Sequence, residues 1–154
     1  MLDHDQVVWY AASLCRRFEG LYLKPYLCPA GVPTIGYGAT FYEDGTRVTM
    51  KDAPITKSRA EDLLNYHLKN HFLPDVMKAC PTLDTEAKAA AILDFAFNLG
   101  IGNLRASTLR KRILAKDWDA VPGELKKWNK AGGKVLKGLT LRREAERILF
   151  ILGT

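Results

Sequence analysis

The 154-residue chain has only three cysteines, Cys15, Cys28 and Cys80, an odd set without CxxC spacing. That excludes a disulfide scaffold, offers no zinc-ligand pattern and suits synthesis in a reducing compartment. The apolar run near the N-terminus, Val7 to Leu14, has polar breaks and follows the acidic start MLDHDQ rather than a basic segment. Neither a signal peptide nor a membrane span is expected from it. His67 and His71 stand one helical turn apart, but the pattern supplies no Glu or third ligand, so no metal site is expected. Internal repeats and low-complexity segments are lacking too.

Hydrophobic residues make up 47% of the chain, enough to bury a core as one compact unit or as two small lobes sharing a long element. The net charge of +6 is uneven. From Leu104 onward, 13 Lys and Arg face 5 Asp and Glu, a net +8 that leaves −2 for residues 1–103. A basic half of this kind is attracted to anionic polymers such as bacterial wall, lipopolysaccharide or nucleic acid, or is simply a solvated face. It lacks the interleaved aromatic and basic residues of a strand-binding surface and any helix-turn-helix pattern, so specific nucleic-acid recognition is not expected.

Val7, Tyr10 or Ala11, Leu14 and Phe18 recur at helical steps, with Asp3 or Asp5 placed to cap the start and Gly20 to end the helix. Tyr22 to Leu27 and Val32 to Tyr37 read as short strands around Pro29-Ala30-Gly31, and Asp44-Gly45 as a further hairpin turn. Thr56 caps a predicted helix running to Leu73, roughly 25 Å long at the usual rise per residue, with Pro74 stopping or kinking it. From Asp84-Thr85 the chain is helical. Ala87, Ala90, Ala91, Leu93 or Asp94 and Phe97 trace a small-residue face ended by Gly100 and Gly102, and further helices cover 108–115, 120–128 and 141–151.

Glu19 therefore sits at the C-terminal end of the first helix, where unpaired carbonyls and the macrodipole disfavour a negative charge. Shielding by the following strands would act in the same direction, and a carboxylic acid that keeps its proton near neutral pH can protonate a leaving group. Position alone does not distinguish such an acid from a solvated helix end.

The spacing carries more. Glu19 is followed by Cys28 and then Thr34, the last within Thr34-Ile35-Gly36-Tyr37-Gly38, and this resembles the phage-type lysozyme family, glycoside hydrolase family 24. Downstream, Phe95 to Gly100, Ser107-Thr108-Leu109, Trp128, Ala131-Gly132-Gly133, Gly138-Leu139 and Arg142-Arg143 ahead of Glu146 are similar to that family's landmarks in order. Cys28 stands where many members have Asp, and Ala39 where His is expected.

The resemblance implies an α+β, lysozyme-like fold in which a small antiparallel sheet lobe is joined by a long helix to a larger helical lobe. A single catalytic domain would then cover 1–154: a sheet lobe at about 20–55, a connecting helix at about 56–73, and a helical lobe at about 74–154 completed by the helix at 3–19. It also implies an endolysin-type muramidase, needing no cofactor, that cuts the β-1,4 bond between N-acetylmuramic acid and N-acetylglucosamine in peptidoglycan. The enzyme would act as a monomer, held in the host cytoplasm until released to the wall.

Glu19 is then the general acid, with Cys28 and Thr34 at the water side. Phe97, Asn98 and Arg142 are carried over as substrate-binding residues, Arg142 lying near the acid to orient it. Three roles stay open for Cys28: base for attack by water, nucleophile, or bystander. Cys15, one turn before Glu19, could instead oxidise with it. Trp128 is a stacking candidate or a core residue, and the segment from Leu141 to Ile151 a membrane-active or a closing helix. A lytic transglycosylase needs only the acid, and a catalytically inert wall- or nucleic-acid-binding module needs none of these groups.

Overall fold

The computed structural model describes residues 1–154. Helix α1, His4–Phe18, starts where the Asp3 carboxylate accepts the Gln6 N–H, and it buries Val7, Val8, Ala11, Ala12 and Cys15 along one face. Strands β1, Tyr22–Leu27, and β2, Pro33–Gly36, pair antiparallel, with Tyr26 opposite Thr34 and Leu27 opposite Pro33. Their register shifts between Tyr22 and Tyr26, the interval containing Pro25, which has no N–H to give the ladder.

The expected second hairpin around Asp44-Gly45 reduces to a single bridge between Phe41 and Arg47. Two backbone bonds flank it, from the Tyr42 N–H to the Thr46 carbonyl and from the Val48 N–H to the Thr40 carbonyl, and beyond them side chains compete: Asp44 accepts the Thr46 N–H, and Asp52 accepts the N–H and hydroxyl of Thr49.

Helix α2, Lys57–His67, is capped by Thr56 as expected. It does not end at Leu73. The helical path widens into a π turn at Leu68–Phe72, where the Leu73 N–H reaches back to the Leu68 carbonyl, and continues as α3, Leu73–Ala79. The wider turn takes Pro74 into the first turn of α3, where a missing N–H costs nothing.

The helical part follows as α4, Glu86–Leu99, α5, Ile101–Ala106, and α6, Thr108–Leu114. Then come a short 3₁₀ turn at Trp118–Ala120 and α7, Val121–Lys126. Gly102, expected as a terminator, lies inside α5; Gly100 alone caps α4, at φ 90°. Strands β3, Lys130–Ala131, and β4, Lys134–Val135, turn at Gly132 and Gly133, both with positive φ. Helix α8, Lys137–Leu152, closes the chain. No helix is long and apolar enough to cross a membrane.

Two apolar clusters form. The large one centres on α4, whose residues Lys88 to Ala96 are all buried between α1, α3 and α8, and where alanines at 89, 90 and 91 let the neighbouring backbones approach. The small one joins Ile35 of β2, Val48 and Leu63 of α2. Because α2 also places Ala60 and Leu64 in the large cluster, it ties the sheet to the helices. α8 buries Arg142, Arg143, Ala145, Glu146 and Phe150, while Leu141, Ile148, Ile151 and Leu152 stay exposed.

Candidate active site

Glu19 leaves the helical path at the end of α1, with extended backbone and its N–H still bonded to the Cys15 carbonyl at 2.7 Å. Its carboxylate lies between two adjoining depressions and lines both. The first, about 140 Å³, is walled by the loop from Tyr37 to Phe41, by α2, and by Phe72 and Phe97. The second, about 320 Å³, is lined by Phe18, Asn98, the start of α8 and Arg142.

Gly38 passes directly over the acid. A Cβ at that position would stand 3.6 Å from Glu19 Oε2, and Gly38 has φ 86°, a conformation L side chains rarely adopt. The T-I-G-Y-G turn thus brings bare backbone against the carboxylate.

Behind Glu19 stands Arg142, buried at 3% exposure, whose Nη1 donates to Glu19 Oε1 at 2.8 Å. The pairing expected of these two residues is present. Its support was not foreseen. Arg142 Nε and Nη2 grip both oxygens of Asp94 on α4 at 2.9 and 2.8 Å, and the Cys15 thiol donates to the same carboxylate at 3.3 Å. Burial works against the Arg142 charge, but Asp94 and Glu19 outweigh it and raise the guanidinium's pKa further. Burial and the Asp94 charge push the Cys15 thiol well up. Committed to Asp94, Cys15 is a free buried thiol, as Cys28 is a free, partly exposed one.

A second buried pair adjoins the first. Arg143 Nε and Nη2 donate to Glu146 at 2.6 and 2.7 Å, and Nη2 also reaches Asn98 Oδ1 at 2.9 Å. Burial, reinforced by Asp94, pushes the Glu146 carboxyl well above the usual range, against the pull of Arg143. For Asp94 the opposing influences end the other way. Burial raises it, but hydrogen bonds from Glu146 and Arg142 bring it below its ordinary value.

The remaining predicted residues divide. Phe97 and Asn98, consecutive on α4, face different sides of Glu19: the Phe97 ring lines the first depression against Phe72, centroids 5.1 Å apart, and Asn98 lines the second. Asn98 has its carbonyl oxygen engaged by Arg143, which leaves its amide N–H groups for a ligand. Trp128 meets Phe95 edge-on at 5.4 Å in the core.

Cys28 and Thr34 line neither depression. They sit together at the turn end of the β1–β2 pair, where the Cys28 N–H bonds the Val32 carbonyl and the buried Thr34 hydroxyl donates to the same carbonyl at 2.8 Å. The Val32 amide, joined by that of Ala30, draws the Cys28 thiol below its ordinary value, against desolvation.

Tyr26 lies between this group and the acid. Burial first, and then the charges of Tyr22, Glu19 and Cys28, raise its phenol pKa, and its ring stacks on Tyr22 at 3.9 Å. Its place directly opposite Thr34 in the strand pair was the available sequence signal. His67 also lines the first depression, its Nε2 hydrogen-bonded to the Phe41 carbonyl at 2.8 Å and its Nδ1 buried without a partner.

Comparisons with known proteins fit this arrangement. The sequence matches the family profile described as phage lysozyme over residues 16–146. The endolysin of Bacillus phage B103 is 36% identical over 141 residues, covering 92% of this chain and 52% of that protein. The endolysin of Acyrthosiphon pisum secondary endosymbiont phage 1 is 35% identical over 148 residues, covering 89% of this chain and 92% of that one. Among solved structures, the endolysin from Escherichia coli O157:H7 phage FAHEc1 superposes with a TM-score of 0.80 at 32% identity, covering 92% of this chain and 90% of the other. The chain spans about half the length of the Bacillus phage endolysins it matches, 52% for phage B103 and 56% for phage PZA.

Proposed function

The chain belongs to the phage lysozyme family, and from that premise we propose that it hydrolyses the β-1,4 bond between N-acetylmuramic acid and N-acetylglucosamine in peptidoglycan. The observation that carries the proposal is the Glu19 carboxylate, set between two depressions and held from behind by a buried guanidinium at 2.8 Å. A sugar on each side of that carboxylate would place the bridging oxygen over the acid. Glu19 gives its proton to that oxygen as it leaves, and oxocarbenium charge develops on the ring that retains the anomeric carbon.

Phe97 offers an apolar wall on one side and the Asn98 amide a hydrogen-bonding head on the other. Arg142 fixes the rotamer of the acid. Thr34 and Cys28 serve the water side. A water that donates one hydrogen to the Thr34 hydroxyl oxygen would bond the anomeric carbon through its oxygen while its other proton passes to the Cys28 thiolate, whose formation the surrounding amides favour. The domain works as a monomer without a cofactor. Its basic half is drawn to anionic wall once the protein leaves the host cytoplasm.

A second reading has its own support. Because Cys28 and Thr34 line neither depression beside Glu19, a lytic transglycosylase, which closes the muramyl 6-hydroxyl onto the anomeric carbon and needs only the acid, competes with hydrolysis. Mass spectrometry of fragments released from purified wall separates the two. Reducing muramyl ends support hydrolysis; anhydro-muramyl ends, lighter by one water, select the transglycosylase.

A further inference from the structure

Glu19 has to be oriented by a cation and yet release a proton, and a guanidinium at hydrogen-bond distance ordinarily holds a carboxylate ionised. The way Arg142 is shared bears on that conflict. Two of its N–H groups go to Asp94 and one to Glu19, and Asp94 is completely buried. We propose that Asp94 is a positioning residue for Glu19: it aims Arg142 and takes up most of the guanidinium charge, so that the acid is held in place without being locked in its ionised form.

The groups around Asp94 support this. Cys15 faces it from α1, and Arg142 and Glu146 face it from α8, with Arg143 behind Glu146. Around Glu19 stand Arg142 and, from β1, Tyr26. Burial moves the Glu146 carboxyl toward its protonated form, from which it donates to Asp94 and keeps that group charged, opposite Arg142. Without the Asp94 charge, Arg142 would present Glu19 with an uncompensated cation in a poorly solvated place, where Coulomb attraction is strong.

The inference rests on Glu19 acting as the general acid, and the experiment keeps the two apart. Rate–pH profiles on purified peptidoglycan are compared for the parent and Asp94→Asn, which retains the size of the side chain and one acceptor. The alkaline limb of kcat/KM should move to lower pH by about 1 unit or more, the usual effect of an unshared neighbouring cation. A lowered plateau with an unmoved limb would mean that Asp94 only supports the fold, and would overturn the proposal.

The same question can be put to the parent protein, whatever the stability of the variant. With ¹³C-labelled aspartate, the Asp94 carboxyl should stay ionised across the active pH range, and a carboxyl that titrates together with the activity overturns the proposal. Glu19→Gln assigns any failure. If it is inactive while the Asp94→Asn limb stays put, only this inference falls; if it is active, the general-acid reading falls and takes this one with it.

Discussion

Replacing Glu19 by Gln separates chemistry from folding because the structure constrains both consequences. The amide oxygen still accepts from Arg142 Nη1, and the Asp94 contacts to that guanidinium are untouched. Folding loses the difference between a charge-assisted and a neutral hydrogen bond, about 1 kcal/mol. It recovers about 0.3–1 kcal/mol by removing a negative charge from the C-terminal end of α1. The net change is within about 1 kcal/mol, or about 2–4 °C in Tm for a chain of this size.

The rate should behave differently. A positioned general acid contributes about 10²–10⁴-fold, which at 1.36 kcal/mol per decade is roughly 3–5 kcal/mol of barrier. Initial rates of clearing of a cell-wall suspension, beside a circular dichroism melt, measure the two effects on one preparation. A Gln variant with the parent's melt that clears the wall within twofold of the parent would refute the assignment.

At Cys28, turnover on purified wall should fall about 100-fold in Cys28→Ala and recover in Cys28→Asp; near-parent activity in the Ala variant would leave the thiol no chemical role. Alkylation of that thiol by iodoacetamide should reach half-maximal rate at a pH below the ordinary cysteine value of about 8.5, since the Val32 amide lowers it. A third expectation concerns His67, whose pKa burial lowers. Between that depressed value and the ordinary value near 6.5 the unfolded chain binds a proton that the folded chain does not, so stability is lost as pH falls below about 6.5. The slope stays below the full-proton limit of about 1.4 kcal/mol per pH unit, and urea melts from pH 7 to pH 5 should show it flattened in His67→Gln; an unchanged slope would mean that other groups cause it.

Much of the scaffold was legible because local chemistry specifies it. Asp3, Thr56, Thr85 and Ser107 each precede a helix and each accept a backbone N–H of its first turn. The α1 periodicity finds Val7 and Ala11 of the buried face, with Leu14 and Phe18 half-buried beside it, and Gly100 ends α4 in a conformation that favours glycine. Non-local or competing contacts decide how far such elements run. Pro74 reads as a stop or a kink, and a π turn carries the helix past it; Asp44-Gly45 reads as a hairpin turn, which forms, but its ladder stops at the two bonds flanking the Phe41–Arg47 bridge.

By itself the sequence determined that an acid ends the first helix and that a glycine-rich turn follows it, both of which depend on neighbours a few residues apart, and that landmarks spread from Glu19 to Glu146 stand in the order of one family. The tertiary structure alone decided which charged residues are buried. Arg143 and Glu146 look in sequence like any solvated helical charge, and the periodicity leaves Leu93 and Asp94 as alternatives on the packed face. They lose water only when α1, α4 and α8 close on one another and bring Cys15, Asp94 and Arg142 within hydrogen-bond reach across up to 127 residues of chain. Desolvation depends on everything that surrounds a group, which no local pattern records.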